Sequence, residues 1–65
     1  MTYYEVIIVD TRDIDKNEPE SSSGILNSIP ECYDAIREYI AENSSYVKSW
    51  RIVDNNGNVI DSFEA

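Results

Sequence analysis

Carboxylates dominate the residues able to do chemistry, and histidine is missing: the chain has 13 Asp and Glu, 5 Lys and Arg, and no His. Without imidazole it lacks the commonest general base and the commonest metal ligand. Asp13-Ile14-Asp15-Lys16-Asn17 matches the first three oxygen-ligand positions of a calcium-binding loop. The match then fails. Glu18 stands at the sixth position, where glycine makes the sharp turn, and Gly24 at the twelfth, where a bidentate glutamate is needed. The run therefore reads as a solvated acidic loop. Asp13 and Asp15 would do acid–base work only in a cleft that raises one pKa, and a domain of one helix and one sheet rarely has such a cleft. Cys32, the single thiol, stands in a first helical turn, which favours a thiolate. Its neighbours Ile29, Tyr33 and Ile36 make it a buried core residue instead. With no glycine-rich phosphate loop, nucleophile motif or cofactor signature either, no enzymatic activity, cofactor or metal is expected.

One acidic pattern is more than dispersed charge. Glu31, Asp34, Glu38 and Glu42 step by three, four and four residues. At the helical period they fall within one narrow arc, opposite an apolar face of Ile29, Cys32, Tyr33, Ile36, Tyr39 and Ile40. Solvated helix faces are commonly charged. Here, however, Asp34–Glu38 and Glu38–Glu42 are like-charge pairs, each destabilising by roughly 0.2–0.5 kcal/mol. Glu42 also sits near the negative end of the helix dipole. Only Arg37 offers local relief. A helix shaped by its own stability would interleave more cations, so the stripe reads as a surface for a partner. It runs for about 16 Å at the helical rise, on the length scale of a few nucleotide phosphates.

The elements that must position these groups are few. Tyr3 to Asp10 is β-branched and aromatic, a strand apolar on both faces. Thr11 to Asn27 reads as a long polar connection, with Asp13, Asp15, Glu18 and Glu20 beside Ser21-Ser22-Ser23-Gly24. Ser28-Ile29-Pro30-Glu31 has the signature of a helix start, with a capping serine, an early proline and a glutamate three residues on. The helix ends near Asn43. Tyr46 to Asp54 and Asn58 to Glu64 form a hairpin around Asn55-Asn56-Gly57. A three-residue loop with left-handed Gly57 sets Arg51 opposite Asp61, Lys48 opposite Glu64 and Ile52 opposite Ile60, and opposite charges across a ladder are favourable. In that register Trp50, Ile52 and Ile60 face the helix, while Val47, Val53, Val59, Phe63 and Asp61 lie on the other face. The expected fold is α+β in the order β-α-β-β, one amphipathic helix on a three-stranded sheet. The first strand lies at an unguarded edge, a template for pairing.

Length and charge bound the function. The 65 residues make one small domain, residues 1–65, with an acidic loop at about 11–27. No apolar run approaches the ~20 residues of a spanning helix. No basic-then-apolar segment reads as a secretory signal, so the cytoplasm is the expected location. One cysteine cannot staple the fold. A net charge of -8 and a sequence pI near 4.1 argue against direct nucleic-acid binding, which depends on cations meeting phosphates.

In size, acidity and lack of catalytic groups the chain resembles the small inhibitors that phages and mobile elements deploy against nucleic-acid enzymes, including restriction and CRISPR effectors. That resemblance implies a non-enzymatic inhibitor that blocks a basic, nucleic-acid-binding surface of a partner protein. The candidate partner-binding residues from the charge pattern are Glu31, Asp34, Glu38 and Glu42 on the helix, with Asp13, Asp15, Glu18 and Glu20 in the loop. The alternative is a homodimeric assembly module or accessory subunit that associates through the first strand or the apolar sheet face. Salt distinguishes them, because charge-driven docking weakens as salt rises and apolar association does not.

Overall fold

The computed structural model describes residues 1–13 and 20–65. Four antiparallel strands form one sheet: β1 (Tyr4–Asp10), β2 (Glu20–Ser22), β3 (Val47–Asp54) and β4 (Val59–Glu64). Their order is β2-β1-β3-β4. The single α-helix among the described residues, α1 (Ile29–Asn43), packs on one face, mainly over β1 and β3. The α+β class holds, but the sheet has a fourth strand, so the order along the chain is β-β-α-β-β.

That extra strand corrects the expected place of β1. The second half of the polar connection returns antiparallel to β1, with Ile7 opposite Ser22 and Val9 opposite Glu20. The pairing continues beyond β2. Ser23 N donates to the Val6 carbonyl at 2.9 Å, and Tyr4 and Leu26 exchange backbone hydrogen bonds of 2.9 and 2.8 Å. With β3 on its other side from Tyr4 to Asp10, β1 is internal and has no free edge to pair.

The core is small. Val6, Ile8, Cys32, Ile36 and Ile52 are buried, with Tyr4, Leu26, Tyr33, Tyr39, Ile40, Val47 and Trp50 packed around them. Alternation along β1 sends Val6 and Ile8 toward the helix. The helix starts as its sequence requires: Ser28 Oγ accepts from Glu31 N at 3.3 Å, and Glu31 Oε2 accepts from Asn27 N at 2.7 Å.

The hairpin keeps its expected loop and loses its expected register. Gly57 has φ +83°, Gly57 N donates to the Asp54 carbonyl, and Asp54 N donates to Asn58 O, both at 3.0 Å. Val53 then faces Val59, but an irregularity shifts the next pair to Ile52 opposite Asp61. The extra residue is Ile60, and a one-residue shift turns every later side chain to the other face. Asp61 and Phe63 therefore face the helix side, where Asp61 accepts a hydrogen bond from the Tyr33 hydroxyl. Phe63 stacks on Trp50 at 6.1 Å, and Trp50 meets Tyr33 edge-on at 6.2 Å. The expected Arg51–Asp61 pair gives way to these contacts. A second irregularity, which sets Asp10 opposite Val47, brings Val47 to the core side, again against expectation.

Candidate functional site

The helix displays the acidic stripe as its spacing requires. Glu31, Asp34, Glu38 and Glu42 are all exposed, while Cys32 and Ile36 on the opposite side are buried. The four carboxylates are not equivalent. Glu31 is engaged in the helix cap. Asp34 pairs with Arg37 at 2.6 Å, with both side chains largely exposed, a contact of little stabilising worth. Among the described residues neither Glu38 nor Glu42 takes part in an ion pair.

Of the loop acids, Glu20 is the one whose side chain is described, and it lies apart from this surface. Glu20 belongs to β2, where it stands opposite Val9 and forms a 2.6 Å ion pair with Arg51 of β3. That pair reaches over β1 on the sheet face away from the helix, so Glu20 is separate from the stripe. Asp13 closes a 3-10 turn, Thr11–Asp13. Asp15 and Glu18, and with them the calcium-loop pattern, lie outside the described residues.

Beside Glu38 and Glu42 is a groove of about 590 Å³ between α1 and β2. Ser21, Ser22 and Ser23 line it on the strand side, and Ala35, Tyr39 and Ala41 on the helix side. Val6 and Ile8 lie at its base. It exists because the helix covers β1 and β3 more fully than the β2 edge.

The least anticipated arrangement is a polar network at the end of β1. Asp10 is only 1% exposed. Its carboxylate accepts from Arg12 N at 2.8 Å, from Arg12 Nε at 3.0 Å and Nη2 at 2.6 Å, and from the Tyr39 hydroxyl at 2.6 Å. Arg12 also donates to Asn43 Oδ1 at 2.8 Å and lies 4.0 Å over the Tyr46 ring. Buried charge is tolerated only when paired and hydrogen-bonded in this way. The Arg12 hydrogen bonds, then Tyr39, hold the Asp10 carboxyl well below the usual carboxylate range, with burial opposing them. Asp10 in turn pushes the Tyr39 hydroxyl up. These groups are committed to one another, so the arrangement fixes the helix on the sheet. The sequence signal was present: on the helix-facing register Tyr4, Val6, Ile8 and Asp10, the fourth residue is charged and needs a partner.

Cys32 is fully buried, and burial, followed by the neighbouring Glu31 carboxylate, raises its thiol pKa. That environment suits a core thiol and disfavours a thiolate. Among the described residues no three Asp, Glu, His or Cys side chains converge on a point that could hold a metal, and no helix is long and apolar enough to cross a membrane. No protein-family model, no curated protein and no solved structure matches the chain.

Proposed function

We propose that this chain is a non-enzymatic, acidic inhibitor that binds a partner protein and occludes a basic, nucleic-acid-binding surface, acting in the cytoplasm where such enzymes work. The observation that carries this reading is the placement of Glu31, Asp34, Glu38 and Glu42 in one exposed file, with the apolar side of the helix spent on the core. The file costs the helix like-charge repulsion, and a complementary cationic groove would relieve it while steering encounter. The kinship in type with inhibitors carried by phages and mobile elements belongs to the same proposal.

The test is capture from a bacterial lysate on the immobilised chain at low and high salt, followed by competition with duplex DNA and with RNA. A captured nucleic-acid enzyme released by salt, displaced by its own nucleic acid and not held by the Glu38→Gln/Glu42→Gln variant, is the expected result. Capture that is indifferent to both salt and that variant overturns the proposal. One observation favours a second reading, assembly through the outer sheet face. Val59 there is 57% exposed, and Ile7, Val9 and Val53 are only half-buried. Salt-insensitive self-association in sedimentation would select it.

A further inference from the structure

We infer that the groove between α1 and β2 receives an arginine side chain from a basic segment of the partner. This rests on the acidic-surface reading and assigns that surface a specific pocket. The volume of about 590 Å³ lies within the usual range of roughly 300–1,000 Å³ for ligand sites. Two of its bordering residues, Glu38 and Glu42, are exposed carboxylates, and no cation is among the described residues that line it. Three other acids have other engagements: Glu31 caps the helix, Asp34 holds Arg37, and Glu20 holds Arg51 across the opposite side of the sheet. The stripe's available charge is therefore concentrated at the groove.

The remaining lining selects the cation. Tyr39 is among the residues that line it, and its side chain is held in place by the hydroxyl's hydrogen bond to Asp10. Ile8, Ala35 and Ala41 add apolar surface, and Ser21 adds a hydroxyl from the strand side. A guanidinium suits this combination. It pairs with carboxylates through a planar fork, stacks on aromatic faces, and sheds water more readily than an ammonium does. Its aliphatic stem covers apolar surface. A hard divalent cation would need six or more converging oxygens, and two carboxylates one helical turn apart do not supply them.

The test is a titration of the isotope-labelled chain with the peptide (Gly-Arg)4 at low salt. The lysine peptide (Gly-Lys)4 and the citrulline peptide, which keeps the shape without the charge, serve as comparisons. Three variants separate the hypotheses. Ala41→Phe fills the groove without altering charge, Ser21→Phe fills it from the strand side, and Glu31→Gln removes a stripe charge away from it. Expected are amide shifts gathered on Ser21–Ser23 and on α1 from Ala35 to Glu42. Affinity should rank arginine over lysine over citrulline and fall about tenfold (about 1.4 kcal/mol) in each phenylalanine variant, but less than about twofold in Glu31→Gln. Both phenylalanine sites are exposed, and should one variant unfold, the other decides. Equal binding by the phenylalanine variants and the parent, together with losses in Glu31→Gln and in Glu38→Gln/Glu42→Gln, overturns the groove and leaves the acidic-surface reading standing. Absence of binding to any basic peptide at low salt overturns both.

Discussion

The Tyr39 hydroxyl and the Asp10 carboxylate, 29 residues apart in sequence, meet at 2.6 Å and join the last turns of the helix to the end of the central strand. Arg12 completes the arrangement from the 3-10 turn that follows. Asp10 is the buried member of the three, so removing Arg12 or Tyr39 leaves its carboxylate short of partners in a buried place.

Asp10→Asn tests this through its pH dependence. The folded pKa of Asp10 lies below the ordinary value of about 3.9. Between those two values the unfolded chain binds more protons, so stability falls as pH falls. The contribution is fully present above about pH 4 and is lost on further acidification. The variant should melt on the order of 10 °C lower near neutral pH, and the gap should shrink below about pH 4. Melting curves of both proteins across this range check it, and a gap that stays constant down to about pH 2 would show that the charge of Asp10 is not what matters.

Glu38→Gln/Glu42→Gln should move stability the other way. Glutamine and glutamate have similar helix propensity, and the change removes two like-charge pairs and one unfavourable charge at the helix end. The expected gain is on the order of 0.5–1.5 kcal/mol at low salt, several degrees in melting temperature. Association with the partner should slow at the same time. A solubilising surface alone gives no reason for greater stability to accompany weaker binding, and denaturant titration beside stopped-flow association reads both.

Cys32→Ala should cost stability and leave binding intact. The residue is fully buried, and deleting its sulfur leaves a small void worth about 1 kcal/mol. In the parent the thiol should react with an aromatic disulfide only as fast as the fold opens. Rapid modification of the folded protein would contradict the burial, and loss of partner binding in a stable Cys32→Ala protein would give the thiol a role this structure does not assign.

Local signals carried the helix, its serine cap, the β1 strand and the three-residue loop closed by Gly57, because each rests on residues adjacent in sequence. The acidic stripe was legible for the same reason, since one period generates both faces of α1. What escaped depends on partners distant in sequence. Glu20–Ser22 is polar and has little strand propensity, yet it pairs because β1 offers a free ladder beside it. The bulge at Ile60 was hidden because the charge ladder Arg51–Asp61 and Lys48–Glu64 looked favourable. Tyr33 and Trp50 draw Asp61 and Phe63 to the helix side instead, and Arg51 turns to Glu20.

The last turn of α1 contains no basic residue, yet a cation does stand at that end of the helix. Arg12, from a segment before the helix in the chain, donates to Asn43 at 2.8 Å. Another element thus supplies a hydrogen-bond donor at the helix's negative pole, with the charge of that donor answered by Asp10. The solvent face of α1 takes no part in that tie and can be rewritten residue by residue for a new target without breaking it. The freedom is conditional on tertiary structure: a peptide of residues 28–44 alone would keep the acids, lose the guanidinium, and have little reason to stay helical.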